Sequence, residues 1–332
     1  MNKPHGIIVF GANGSGKTTL GHELARILSF KHVDHEDYAF HESEIPYTNL
    51  RTEEECIELM LADIQKYGSF VLSSVTGNFG ENIVPFYDLA IFLSAPHDIR
   101  MERINQREVL RFGDRVLKGG DMYESQQDFH NFVSTRDLSR IDQWAETLIS
   151  PVIRIDGIKD YKQTASDIAD FYNTRFKSIG LSSYPYGVDI IRRISARGVC
   201  VREGKALMIK YKWPGYGFAG GGIEKGENPK KAIIRELREE IGCTVTSVGD
   251  FILSVTERTV SEADPSKYFE QVNLYYECEV DDTRYMPNPT YEEALREYES
   301  GWVELSEALR ENKSIWQRKR DVEVLKMLEG TE

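Results

Sequence analysis

The sequence predicts two α/β domains in series: an N-terminal doubly wound parallel sheet, then an α/β/α sandwich built on a mixed sheet. Three observations carry this. The first half alternates short apolar runs with helical spacing. The second half holds longer, partly alternating strands, a hairpin and two clear helices. At 332 residues, 40% apolar and 29% charged, the chain has the length and composition of about two domains with real cores.

In chain order, "GIIVF" (6–10) is a buried strand, and "KTTLGHELARILS" (17–29) is a helix through Leu20, Leu24, Ile27 and Leu28. The strand "KHVD", a helix near "EEECIELMLADIQKYG" and the strands "FVLSS" and "LAIFLS" follow. A helix over "HDIRMERINQREVLRFG", the strand "VIRID" and a helix over "TASDIADFYNTRF" complete a strand–helix alternation that implies right-handed crossovers. "KSIGLSSYPYG" (177–187) is rich in Ser, Gly, Tyr and Pro and lacks periodicity, so it reads as linker. The expected division is 1–178, a linker at 179–189, and 190–332. In the second part "RGVCVREGKALMIKYK" reads as a hairpin turning at Glu203-Gly204. "FILSVTERTV" and "FEQVNLYYECEV" read as strands, a helix spans about 229–241, and "QRKRDVEVLKMLEG" as a terminal helix.

The net charge of −13 argues against a nucleic-acid backbone or an anionic membrane as the main partner. Small-molecule nucleotides are the partners expected; a homodimer through the second domain is compatible with the sequence but not dictated by it. Cys56, Cys200, Cys243 and Cys278 lie far apart without metal-finger spacing and read as buried thiols in a reducing compartment. "MNKPHGIIVFGANG" is too short in its apolar run for a signal segment, and no run approaches the roughly 18 apolar residues of a membrane span. A cytoplasmic protein is expected.

Gly11-Ala12-Asn13-Gly14-Ser15-Gly16-Lys17-Thr18 fits G-x-x-x-x-G-K-[ST], after a strand and opening a helix. The glycines let successive N–H groups turn inward, and the helix N-terminus adds to that field. Lys17 can reach the β/γ phosphates and the Thr18 hydroxyl can hold Mg2+, with Asn13, Ser15 and Thr19 among the nucleotide-binding residues. The chain here resembles the P-loop NTPase superfamily, and within it small-molecule kinases of the adenylate and shikimate kinase type. "FLSAPHDIRMERINQRE" carries much of the likeness, which implies that Arg103 and Arg107 lean over nucleotide phosphates. "RFGDRVLKGGDMYE" (111–124) resembles the mobile lid, adding Arg111 and Arg115. "VDHEDYAF" (33–40) stands where such kinases place acids for acceptor or metal, so Asp34 and Asp37 are candidates, with Asp34 catalytic beside Lys17 and Arg107. The strands "FVLSS" and "LAIFLS" lack the magnesium-holding Asp of motor ATPases, which favours transfer from ATP to a small acceptor.

"GGIEKGENPKKAIIRELREEIG" (221–242) packs carboxylates into a short helix. Asn228 can cap it, Pro229 opens it and Gly242 closes it. At about 100° per residue, Glu236, Glu239 and Glu240 share an arc of about 100° beside Ile233, Leu237 and Ile241. Acids in a last turn oppose the helix dipole, and like-charged neighbours cost roughly 0.2–0.5 kcal/mol per pair. A hard divalent cation, Mg2+ or Mn2+, would reward that arrangement. A salt-bridged surface helix, with Lys231, Arg235 and Arg238 as partners, is the alternative.

Gly221, Glu227, Arg235-Glu236-Leu237, Glu239-Glu240 and Gly242 all match G-x5-E-x7-R-E-U-x-E-E-x-G-U, with Cys243 less typical in the final slot. Over about 190–332 the chain resembles the Nudix hydrolases. The resemblance implies that Glu239 and Glu240 are metal ligands, joined by the Gly220 carbonyl. It implies that Glu236 is a ligand or the base, and that Glu227 and Arg235 brace the loop. A further acid is expected from Glu292, Glu293 or Glu297, and the sequence does not choose among them. No SQPWPFPxS run is present, and Arg258 stands where many ADP-ribose enzymes carry proline. Trp213, Tyr216 and Phe218 either stack on a base or pack a core. The function expected is bifunctional: ATP-dependent phosphoryl transfer and Mg2+-dependent hydrolysis of a nucleoside-diphosphate-linked substrate. A nucleotide-sensing second domain, or a nucleotide-hydrolysing switch in the first, are the alternatives.

Overall fold

The computed structural model describes residues 4–184, 188–211, 214–261, 264–287 and 298–330. Along the chain it divides into two compact units, parting between Tyr172 and Asn173.

The first unit runs β1 (His5–Phe10), α1 (Lys17–Leu28), β2 (Lys31–Asp34), α2 (His35–Ala39), α3 (Glu53–Tyr67), β3 (Ser69–Ser74) and α4 (Gly80–Ile83). It continues through β4 (Tyr87–Ser94), α5 (His97–Phe112), α6 (Tyr123–Thr135), α7 (Ser139–Ala145), β5 (Val152–Asp156) and α8 (Tyr161–Arg175). The strands form one sheet in the order β2-β3-β1-β4-β5, every pair parallel. Successive side chains of β1 alternate in face. Ile8 and Phe10 enter a core with Met60 and Ile64 of α3 and Ile141 and Ala145 of α7. Ile7 and Val9, equally buried, serve the opposite face, where α1 packs on the sheet. Because every strand points the same way, the loops after β1, β2 and β5 open at one end of the sheet, where α/β folds bind ligands. Helix α3 is started by a full capping box, Thr52 with Glu55. The helices α6 and α7 occupy a stretch that the sequence pattern left unassigned.

The second unit begins with β6 (Phe176–Gly180), β7 (Ile190–Val199), β8 (Val201–Arg202), β9 (Lys205–Tyr211), β10 (Tyr216–Gly217) and β11 (Gly220–Gly222). Then come α9 (Pro229–Glu236), β12 (Cys243–Val260), β13 (Tyr268–Arg284), β14 (Tyr298–Glu304), α10 (Leu305–Asn312) and α11 (Lys319–Glu329). One sheet has the order β11-β7-β13-β12-β6 and the other β10-β9-β14, with β8 paired to β9. The first is mixed: β7–β13 and β12–β6 are parallel, β12–β13 and β11–β7 antiparallel. On one face Leu274 and Tyr276 meet Ala232, Ile233 and Leu237. On the other, Leu253, Val255 and Tyr275 meet Ala308, Leu309, Val324 and Leu325 of α10 and α11. The Glu203-Gly204 turn forms as read, both residues at positive φ (50° and 77°).

Two expectations are displaced. Residues 176–180, read as the end of the first domain and the start of a linker, form β6 and pair in parallel with β12 from Ser254 to Arg258. The pairing partner lies some 80 residues away, and α8 passes into β6 without a turn residue, so nothing local marks the boundary. The carboxylate helix is α-helical only to Glu236. Leu237–Ile241 is a π-helical turn, with Gly242 N donating to Leu237 O at 3.1 Å.

Candidate functional sites

In the first unit the glycines of the loop after β1 take conformations that side chains resist: Gly11, Gly14 and Gly16 have φ of 146°, 77° and 101°. Beyond the conformation, a Cβ on Gly11 would lie 2.1 Å from Leu93 O, and one on Gly14 2.4 Å from Arg100 O. The loop borders a cavity of about 570 Å3 that is also lined by Asp34, Glu36, Arg103, Arg107, Arg111 and Lys159. Lys17 Nζ donates to Ala12 O at 2.9 Å, and burial lowers its pKa to about 8 against the opposing pull of Glu36 and Asp34. Thr18 Oγ1 donates to Asp34 Oδ2 at 2.7 Å, while Asp34 Oδ1 caps α2 through Glu36 N at 3.1 Å. Thr19 and Asn13 also line the cavity. Ser15 Oγ is buried without a hydrogen-bond partner among the described residues.

The four expected arginines diverge. Arg103 bridges Ser15 O (3.3 Å) and Gly157 O (3.0 Å), tying the phosphate loop to the loop after β5. Arg107 pairs with its neighbour Glu108 at 2.7 Å, and Arg111 donates to Tyr47 Oη at 2.8 Å; both line the cavity. Arg115 instead grips Asp121 (2.7 Å) and Glu44 O (3.3 Å) and is not among the lining residues. Asp37 is likewise not among them, and burial raises its carboxyl above the usual range. The sequence reading missed Arg136, which donates to Asn13 Oδ1 at 3.3 Å. It also missed Glu36, the strongest charge pulling Lys17 upward, and Gly157, whose Cβ would sit 2.5 Å from Ser15 O. Gly157 had a signal, since it follows a strand at the ligand end of the sheet; Arg136 follows α6 with none.

In the second unit Asn228 Oδ1 caps α9 through Lys231 N at 3.0 Å, and Gly242 closes the following turn at φ 74°. Arg235 lies at the centre. It binds Glu227 with two bonds of 2.9 Å, Glu236 Oε1 at 2.7 Å, Gly222 O at 3.0 Å and Glu239 Oε2 at 3.4 Å. These bonds hold Glu227 down at about 2, and the acids push the guanidinium still further above its high range. Glu236 and Glu240 are buried and the Glu239 side chain is 38% exposed. Glu240 Oε2 accepts from Gly220 N at 2.7 Å. A Cβ on Gly221 would stand 2.3 Å from Glu236 Oε1, so the carboxylate rests on bare backbone. The Gly220 carbonyl accepts from Arg197 Nη1 at 3.0 Å.

Among the described residues no three acidic, His or Cys side chains converge on one point. The physical reason is Arg235, whose guanidinium stands between Glu236 and Glu239 while Glu240 turns to β11. The donor types nonetheless suit a hard cation: three carboxylates lie within about one turn. Glu292, Glu293, Glu297 and Trp213 lie outside the described residues. Tyr216 and Phe218 are buried; Tyr216 Oη donates to Glu307 at 3.0 Å and Phe218 packs edge-on to Tyr275, so both serve the core. All four cysteines are buried and none is joined in a disulfide. Among the described residues no helix is long and apolar enough to cross a membrane.

Comparison with known proteins agrees with this geometry. The AAA domain family matches residues 7–146 and the NUDIX domain family residues 192–323. The uncharacterized protein YqaC of Bacillus subtilis (strain 168) is 29% identical over 176 residues, 51% of this chain and 97% of that protein. Solved structures with some likeness include a MutT NUDIX hydrolase from Burkholderia pseudomallei, 22% identical over 35% of this chain and 85% of that one, TM-score 0.27. The E. coli ORF135 protein is 19% identical over 45% of this chain and 94% of that one, TM-score 0.31. MutT proteins studied from Aliivibrio salmonicida and Vibrio cholerae give 19% identity over 42% of this chain and 99% of that one, TM-score 0.30. The domain-family matches carry the assignment: the chain joins a P-loop, kinase-like domain to a Nudix hydrolase domain.

Proposed function

We propose that the chain is bifunctional, with an N-terminal centre transferring a phosphoryl group from ATP to a small hydroxyl-bearing acceptor and a C-terminal centre hydrolysing nucleoside-diphosphate-linked molecules. The observation that carries the first reading is the Lys17–Thr18–Asp34 constellation lining the cavity. Bound ATP would supply the transferred γ-phosphoryl. Lys17, lightly held by Ala12 O, is available to the β/γ oxygens, and the inward N–H groups of the loop bind the phosphates. Thr18 with Asp34 would hold Mg2+, and Asp34 is placed to orient an acceptor hydroxyl. Arg107 and Arg111, which line the same cavity, would complement the phosphate charge.

The second reading rests on Glu236 and Glu240 lying buried against the glycines of β11. Glu236, Glu239 and Glu240 would hold Mg2+ or Mn2+. The cation, when bound, would neutralise and polarise the diphosphate and acidify a water. Arg235 and Glu227 keep the loop in place through four charged contacts, and Glu236 serves as ligand or as the proton acceptor for that water. The test is separate assays of ATP-dependent transfer and diphosphate cleavage on Lys17→Ala and Glu240→Gln. Each variant should lose one activity and keep the other; a single substitution silencing both would replace this reading with a regulatory one.

A further inference from the structure

We propose that Arg197 is the positioning residue of the C-terminal site: it fixes the backbone on either side of the Gly220 N–H, and through that N–H the Glu240 carboxylate, in the orientation that receives a divalent cation. This rests on the reading of that site as a metal-dependent hydrolase. Arg197 sits on β7 and is 7% exposed. Its Nη1 donates to both Phe218 O and Gly220 O at 3.0 Å, and its Nε to Asn273 Oδ1 at 3.2 Å. A guanidinium buried this deeply is costly unless its donors are matched, and here they are matched to backbone carbonyls.

The backbone it grips is glycine, paired through β11 with β7 at the position opposite Arg197. Gly220 has φ 142°, and a Cβ there would lie 2.2 Å from Ala196 O, so only glycine fits and glycine brings rotational freedom. The N–H and C=O of Gly220 belong to successive peptide groups: Glu240 Oε2 takes the first at 2.7 Å, and Arg197 takes the second while also holding Phe218 O. Arg197 therefore anchors the carbonyls on both sides of the Ala219–Gly220 peptide whose N–H meets Glu240, and that peptide's own carbonyl, Ala219 O, accepts from Gly198 N at 3.1 Å. Asn273, fully buried, keeps the Arg197 fork in plane and passes a bond of 3.2 Å to Glu257, which takes Arg320 of α11 at 3.0 Å. Without the fork, the carbonyls flanking the Gly220 N–H lose their side-chain anchor, and the donor that orients Glu240 is held less firmly.

The experiment measures Mn2+ binding to the metal-stripped full chain by paramagnetic resonance of free Mn2+, without nucleotide, beside metal-free thermal melting. Sites lost in Glu240→Gln define the C-terminal centre. Arg197→Met should bind Mn2+ there about 10–100-fold more weakly, the scale of losses seen when a group supporting a metal ligand is removed. Arg197→Lys should fall between, because an ammonium keeps the charge without the fork. A cooperatively melting Arg197→Met protein with wild-type Mn2+ affinity overturns the proposal. If that variant does not fold, an Arg197→Lys protein with wild-type affinity overturns it. A wild-type chain with no Glu240-dependent Mn2+ binding overturns the reading of the site as well.

Discussion

The two sites treat their central cation in opposite ways. Lys17 is held to Ala12 O by one bond to a neutral group, and burial has already weakened its hold on the proton. Arg235 is bound by Glu227, Glu236, Glu239 and Gly222 O together. A loosely held cation is a group to be given to a ligand, whereas a cation locked among acids is scaffold. In the proposed reading, the first site therefore offers positive charge to phosphate. In the same reading, the second holds its cation among its own acids and offers carboxylates, so that phosphate would be met through a metal. The difference teaches that the count of charges in a site says little until one asks what each charge is already bonded to.

The sharpest break of this comparison is Glu240→Gln, which keeps size and nearly all helix propensity. Hydrolysis of a panel of nucleoside diphosphate derivatives should fall by at least about two orders of magnitude across all Mg2+ concentrations. Unfolding free energy should change by under about 1 kcal/mol, since an amide oxygen can still accept from Gly220 N. Equal rates would mean that the acids are a salt-bridged face and nothing more. Lys17→Ala should weaken ATP binding roughly 10–100-fold, the loss of one or two charge-assisted bonds, and leave diphosphate cleavage intact. Calorimetric titration with ATP reads this directly.

A pH series sharpens the contrast between the two cations. With its pKa lowered to about 8, Lys17 is charged below that pH and neutral above it, and phosphate favours the charged form. ATP affinity should therefore decline as pH rises from 8 toward 10, by up to about tenfold per unit. Binding near pH 8.5 should take up protons, seen as a dependence of the apparent heat on the buffer. A flat profile would show that Lys17 is not the phosphate contact. Arg235 should show no such titration. The smallest effect is expected for Glu227→Gln, which removes one partner of a bidentate pair and should cost about 1–2 kcal/mol in chemical denaturation.

What was legible in the sequence was what glycine spacing encodes locally. Gly11, Gly14, Gly16 and Gly221 mark places where backbone must approach another group, and the structure supplies that group in each case or a φ that demands glycine. The Glu227–Arg235 brace was legible too, because both lie on one short motif. Arginines were not. Arg103, Arg107, Arg111 and Arg115 have long side chains, and spacing along a helix fixes their Cα positions but not which carbonyl or acid each will find. Arg136 and Arg197 act on partners 123 and 21–76 residues away, and no local pattern announces such a partner. The π-helical turn after Glu236 was invisible for another reason: the apolar spacing of Ile233, Leu237 and Ile241 satisfies an α-helix equally well.

The strand at 176–180 bears on how the chain can be divided. β6 covers the outer side of β12, an 18-residue strand whose other neighbour is β13. Phe176 lies against Phe251, with ring centroids 5.4 Å apart, and Arg175 Nη1 reaches Ile252 O at 2.8 Å. A polypeptide beginning at residue 179, where linker-like composition invites a cut, would lack the first three residues of that cover. It would leave the β6-facing N–H and C=O groups within Ser254–Thr256 without their strand partner. Such an edge recruits strands from other chains. Self-association of the isolated Nudix half would then report a missing strand, and should not be read as a native oligomer.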